Sequence, residues 1–356
     1  MSEQLRHIIP IFSTMREAAH VHYRNHGLTH VPAPQIVGIT GACENVDTLF
    51  RVGSRVGAPL FFCQTGQLNL EQALQYNHGV YTIMVSGRDE ETEDDRHLRQ
   101  FNLAEEEFDW TFVGSKDERY DEERMYEALL GHIETAVKSI AATTVERHAG
   151  LISDRFGRDV DELANSLTLP FHRISYEDAI ALLNRNGFPQ LRWGADLKSE
   201  HEARIVELVA GGETRRPTFI MRYPKEIKFF NMKVSERDER VAMSADLVFP
   251  RAGEGVGSAV REHDAARLEE RLLGSEMYRL HLERGGHLED FRWYLDLVAS
   301  GQTSPHAGYG IGLERVAQYI LDRTDIRECS IFNLMAKQTR DWEVHRPVPV
   351  TVPAMA

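Results

Sequence analysis

Two runs do most to decide what this chain can fold into. GVYTIMV (79–85) and QFNLAEEEFDWTFV (100–113) carry the β-branched and aromatic residues of strands. Between them lies a densely charged stretch, so Gly87 to Phe101 is the connection of a long hairpin, and a hairpin makes its two strands antiparallel. Further strand-like runs are PLFFCQ (59–64), RPTFIMRYP (216–224), EIKFFNMKV (226–234) and RVAMSADLVFP (240–250), the last three in series. Helical spacing marks residues 4–26 (Leu5, Ile8, Ile9, Phe12, Met15, Ala19), with Gly27 as the stop and THVPAPQIVGI extended after it. A long amphipathic helix is expected over 120–147, with others over 176–187, 266–275 and 291–301, and GYGIGLERVAQYIL reads as a glycine-rich turn running into a helix. Runs of strands with helices between and around them predict an α+β fold with a largely antiparallel sheet flanked by helices. The alternation of a doubly wound dinucleotide fold is not seen.

The chain has 356 residues, 42% of them hydrophobic, which is enough for a sizeable core. No run approaches the ~18–20 apolar residues that a membrane span needs, and MSEQLRHIIPIF is too polar for a secretory signal. Cys43, Cys63 and Cys329 are far apart and form no CxxC pair, so neither a zinc ribbon nor a disulfide framework is expected, and a reducing cytoplasm is the natural setting. A net charge of −14 gives no generic attraction to nucleic acid or to an anionic membrane.

Three stretches carry candidate chemistry. The hairpin connection GRDEETEDDRHLRQF holds three arginines, one histidine and six carboxylates. Arg88 and Glu90 share a facing in a strand continuation, the Arg88 fork suits a phosphate, and His97 and Phe101 fall on the return strand, Phe101 offering a ring to a base. By itself such a run reads rather as a solvated tip, since charge runs usually face water. In SADLVFPRAGEGVGSAVRE (244–262), Asp246 and Glu254 flank a turn, oxygen ligands of the kind that suit Mg²⁺ carried on nucleotide phosphates. In HAGYGIGLERV (306–316), glycines 308, 310 and 312 permit close backbone approach ahead of Arg315. Either of the last two alone is equally a packing turn or a surface loop.

Taken together, the Arg-x-Glu hairpin closing on Phe, the carboxylate pair and Gly-x-Gly-x-Gly-x-Glu-Arg opening a helix resemble motifs 2 and 3 of the class II aminoacyl-tRNA synthetases. Residues 4–34, a helix and an extended segment ending at Pro34, resemble motif 1. CENVDTLFRV, TGQLNLEQAL, RISYEDAIALLN, WGADLKSEHE, YPKEIKFFNMKV and WYLDL extend the resemblance to the asparaginyl-tRNA synthetase catalytic core over roughly residues 4–335. The resemblance implies one synthetase-like catalytic domain over 1–356, with motif 2 at about 79–108, a helical insertion at about 118–210 and motif 3 at about 306–322. It implies ATP bent on the sheet, with Arg88 on the α-phosphate and substrate carboxylate, Glu90 facing the ATP, His97 and Arg315 at the β/γ-phosphates, Gly312 giving backbone access and Phe101 stacked on adenine. Asp246 and Glu254 would hold Mg²⁺. Glu44 would take the substrate ammonium, while Gln67, Ser258 and Arg261 would line the amino acid. Glu71 would accept from a carboxamide, and the lysine that neutralises a side-chain carboxylate in aspartate-specific relatives is missing from Gln67-Leu68-Asn69-Leu70-Glu71.

Departures from the family pattern accompany these matches. Motif 1 begins within the first ten residues, so the family's N-terminal anticodon-reading OB-fold is not expected. The motif 2 loop, Asp89 to Asp95, is acidic where a tRNA acceptor stem would approach. Asn45-Val46, Gly87 and Asn231 replace usual residues, and SIFNLMAKQ after Cys329 lacks the Pro-Arg that often ends the core. These features predict an AMP-forming ligase that adenylates aspartate, asparagine or an analogue and passes the acyl group to ammonia or another amine, as in archaeal-type asparagine synthetases. In that arrangement aspartate would lie reversed, its ammonium at Glu71 and its α-carboxylate at Arg261. The alternatives are tRNA charging without anticodon readout, which the acidic loop disfavours, and a non-catalytic amino-acid- or nucleotide-binding module. A homodimer built on motif 1 is expected. His20, His22 and His26 read as exposed helix histidines rather than a metal cluster, and Cys63 as a core residue.

Overall fold

The hairpin is the spine of the sheet. The computed structural model describes residues 3–39, 46–55, 60–90, 94–114, 118–213 and 215–333. Within it, strands β1 (Thr29–His30), β2 (Gly79–Gly87), β3 (Gln100–Asp109), β4 (His172–Ser175), β5 (Thr218–Met221), β6 (Ser244–Phe249), β7 (Gly253–Val260) and β8 (His306–Gly312) form one eight-stranded sheet. Their spatial order is β1-β2-β3-β8-β7-β6-β5-β4. β2 and β3 pair antiparallel from Gly79 opposite Phe108 to Gly87 opposite Gln100. The run from β2 to β5 is antiparallel throughout, while both edges, β1 on β2 and β4 on β5, are parallel. Ile36–Val37, Leu60–Phe62 and Arg51–Val52 make a small second sheet.

Several local expectations need correction. The strand from 100 ends at Asp109, whose carboxylate accepts from the Phe112 N–H and so caps the short helix Trp110–Val113. His97 therefore precedes the return strand and sits in the connection. EIKFFNMKV is not a strand: a 3₁₀ turn at Lys225–Ile227 leads into single bridges of Met232 with Arg261 and Val234 with Ala242. The glycine-rich HAGYGIG is no turn but β8, at the centre of the sheet.

The sheet's helical cover follows from sequence as well. Asp121 caps the helix Glu122–Phe156 through the N–H groups of Glu123 and Arg124, and Gly157, in the left-handed region at φ 68°, ends it. It runs past the expected 147 and kinks at His148. Its buried Leu129, Ile133, Val137 and Ile140 share one core with Leu5, Ile8, Phe12 and Met15 of the helix Glu3–Asn25. Most of the apolar face of that first helix is thus spent within the chain, while Ile9 and Val21 stay exposed. His22 is buried rather than exposed: its ring lies 4.1 Å from that of His26, and burial, with His26 and His132 nearby, pushes its imidazole down to about 4, so it is neutral. Cys63 is a core thiol, and burial pushes it up to about 12. Among the described residues no helix is long and apolar enough to cross a membrane.

Candidate active site

β3, β8 and β7, with the helix Gln67–Ala73, wall a cavity of about 370 Å³. Gln67, Arg88, Glu90, His97, Phe101, Glu254, Ser258, Arg261, Gly312 and Arg315 all line it. Residues spread over nearly 250 positions of sequence therefore converge on one hollow. Glu44 and the centre of the acidic run, 91–93, lie outside the described residues. A larger hollow of about 860 Å³, between the 225–239 segment and the helix Ala265–Leu273, contains none of the expected residues.

One end of the cavity is cationic. Arg88 is exposed, its guanidinium 5.8 Å from the centre of the Phe101 ring, and its N–H donates to the Arg99 carbonyl at 2.9 Å. His97 meets the Asp94 carboxylate at 3.0 Å; against a burial penalty, this contact and the N–H groups of Arg96 and His97 hold Asp94 down at about 2. Arg315 donates to the carbonyls of Ala252 at 2.5 Å and Arg96 at 2.7 Å. Burial, then the nearby Arg96 charge, lowers its pKa, and Glu254 and Glu202 oppose that. Gly255 makes the approach possible, since a Cβ there would lie 2.3 Å from the Phe249 ring and 2.9 Å from the Arg315 Cβ.

The carboxylate pair fits a magnesium ion by its donor chemistry. Asp246 stands across from the cavity-lining Gly257, and Glu254 across from Val248, so strand alternation puts both acids on one face. The Lys228 ammonium donates to Asp246 Oδ2 at 2.6 Å and the Tyr223 hydroxyl bonds the same carboxylate, so Asp246 is engaged within the protein and, unlike Glu254, is not on the cavity wall. One or two carboxylates completed by phosphate oxygens is the usual Mg²⁺ arrangement.

The opposite end is a buried acid–base network, much of which sequence reasoning missed. Along β3 the acids alternate: Glu105 and Glu107 face the cavity, while Glu106 turns to His132 at 2.6 Å on the long helix. Arg261 donates to Glu107 at 2.5 Å and lies 3.8 Å from Glu71. β8 has to be glycine at 308, because a Cβ there would sit 2.0 Å from the Glu107 carboxyl carbon. Glu71 is not on the cavity wall but behind Gln67 and Arg261, about 1% exposed. It accepts from Gln67 Nε2 at 2.7 Å, Tyr294 OH at 2.6 Å and His306 Nε2 at 3.1 Å, with Asn231 Nδ2 at 3.4 Å.

These contacts set the charges. Burial alone would raise Glu71, but the bonds and charges of His306, Arg261 and Tyr294 outweigh it and hold the carboxyl below its usual range. His306 is raised despite burial, by Glu71 and then Glu107. Burial raises Glu107 to about 7 against the pull of Arg261, and raises Glu105 to about 7 against bonds from Thr65 and the Gly66 N–H. The alternating acids of AEEE, unusual in an otherwise apolar strand, were the available sequence signal for Glu105 and Glu107. His306, buried behind the wall, and Glu202, on it, had none.

Comparison with known proteins bears on the chain's family and fold. The profile of the class II tRNA synthetases (D, K and N) matches residues 1–336. Asparagine–tRNA ligase of Thermococcus gammatolerans is 30% identical over 332 residues, 93% of this chain and 69% of the relative. That of Desulforamulus reducens is 33% identical over 322 residues, covering 90% and 67%. Among solved structures, Pyrococcus horikoshii asparaginyl-tRNA synthetase complexed with asparaginyl-adenylate superposes with a TM-score of 0.78 at 30% identity, covering 93% of this chain and 69% of that one.

Proposed function

Because the chain belongs to the class II tRNA synthetases (D, K and N) and is an ATP-using, aminoacyl-adenylate-forming ligase, we propose that it activates asparagine or a close carboxamide analogue in preference to aspartate. The observation that carries this is the state of Arg261. Its charge is already matched by two buried glutamates, Glu107 and Glu71. A neutral carboxamide can share that guanidinium and the Gln67 amide, whereas a side-chain carboxylate would enter beside Glu107 with Arg261 already engaged by that acid and His306 by Glu71. The reversed-aspartate arrangement loses support here, since the oxygens of Glu71 that would receive an ammonium are taken by Gln67, Tyr294 and His306.

In this proposal Arg88, His97 and Arg315 receive the phosphates, Phe101 stacks on the adenine, Glu90 and Gly312 border the nucleotide, and Gln67, Ser258, Arg261 and Glu44 border the amino acid. Asp246 and Glu254 hold Mg²⁺, which would neutralise phosphate charge. The protein's part is to align a carboxylate oxygen with the α-phosphorus and to place cations where charge accumulates. We assign the tRNA 3′ end as acyl acceptor, in keeping with the relatives' names. A second acceptor, ammonia or another amine, is favoured by the acids from Asp89 to Asp95, which would repel an acceptor stem. We place the enzyme in the cytoplasm as a single-domain homodimer. Incubating the protein with ATP, Mg²⁺, asparagine and either tRNA or ammonia tests the acceptor: aminoacylated tRNA supports the first assignment, and an amide product without it supports the second.

A further inference from the structure

Glu202 belongs to none of the three motifs. It sits in the first turn of the helix Ser199–Ala210, in the stretch between β4 and β5, yet it reaches the cationic end of the cavity. It is buried, and its Oε2 accepts from Arg96 Nη2 at 3.3 Å and from the Glu254 N–H at 3.4 Å. The Arg96 carbonyl is in turn held by Arg315. A single carboxylate thus joins the return limb of the hairpin connection to β7, at the backbone of the proposed metal ligand Glu254. Gly253 is fitted to this junction: a Cβ there would lie 2.8 Å from Arg96 Nη2 and 3.0 Å from Glu202 Oε2, and its φ is +76°. Arg96 and Arg315 repel each other across the junction, and Glu202 acts favourably on both.

We propose that Glu202 is a positioning residue for the nucleotide's phosphate chain, holding Arg96 beside Arg315 so that two guanidinium groups face the polyphosphate together. This rests on the cavity being the ATP site. Without Glu202 the limb carrying Arg96 and His97 loses its tie to β7, and the two like charges separate. The loss falls on the phosphates and spares the adenosine moiety, for which Phe101 would supply a ring that the pairing of β3 with β2 holds independently of Glu202.

Calorimetric titration of the full chain with ATP·Mg²⁺, and separately with adenosine, tests this. Glu202→Ala should weaken ATP about tenfold and change adenosine less than about twofold. Glu202→Gln, which keeps an acceptor for Arg96, should recover most of the ATP affinity. Glu200→Ala, whose side chain is 66% exposed on the same helix, should match the wild type. Should Glu202→Ala fail to fold, the pair Arg96→Ala and Arg96→Ala/Glu202→Gln replaces it: the single variant loses ATP affinity selectively and the second substitution adds nothing. Equal losses for ATP and adenosine, or unchanged ATP binding, would overturn the proposal alone. A wild type that binds neither would overturn the ligase assignment with it.

Discussion

Glu105→Gln separates burial from hydrogen bonding at the amino-acid end of the cavity. The Glu105 carboxyl accepts from the Thr65 hydroxyl and from the Gly66 N–H at 2.7 Å, and burial raises its pKa from 4.5 to about 7. A carboxyl raised in the folded state keeps its proton where the unfolded chain has released it. Its contribution to stability is present in full below about 4.5 and is lost as pH rises through about 7. The whole gap amounts to roughly 3 kcal/mol. Glutamine cannot ionise, but it has one acceptor oxygen for two donors, a loss of about 1 kcal/mol. The variant should therefore be less stable than wild type by about 1 kcal/mol near pH 5 and should gain roughly 2–3 kcal/mol on it by pH 8, so that their order reverses. Denaturant titrations at the two pH values measure the difference. A stability difference that is flat with pH, or that moves the other way, would refute the placement of Glu105 as a buried, raised acid.

Arg88→Ala should lower ATP–pyrophosphate exchange at least about 100-fold with little change in thermal midpoint, since the side chain is exposed; full exchange would remove Arg88 from the site. Glu107→Gln leaves the Arg261 charge partly unmatched, so the preference for asparagine over aspartate, read as a ratio of kcat/KM values, should narrow about tenfold; an unchanged ratio would contradict the pairing argument.

Much of this fold is legible in the sequence because its central hairpin announces itself: two β-rich runs around a polar connection admit few arrangements. Most of the proposed ATP-end residues are legible only through the family motifs they match: Arg88, His97 and Phe101 in the hairpin, Glu254 on β7, and Gly312 and Arg315 where β8 runs into a helix. EIKFFNMKV misled because its apolar residues, buried under the helices Ala265–Leu273 and Glu289–Ala299, have strand-like composition without strand pairing. HAGYGIG misled in the opposite sense, because glycine disfavours strands in isolation, and only the acids it faces on β3 explain the choice. The Glu71–Arg261–Glu107–His306 network joins four separate elements. No local pattern encodes such a contact, and Glu71 alone could be assigned a substrate role that its saturated hydrogen bonds do not support.

The central claim is that this cavity adenylates a carboxamide amino acid because the deep guanidinium of Arg261 is already paired. ATP–pyrophosphate exchange with wild-type protein, asparagine and aspartate in parallel tests it most directly. The account predicts robust exchange with asparagine and a kcat/KM for aspartate lower by about 100-fold or more. Equal or faster exchange with aspartate would contradict it.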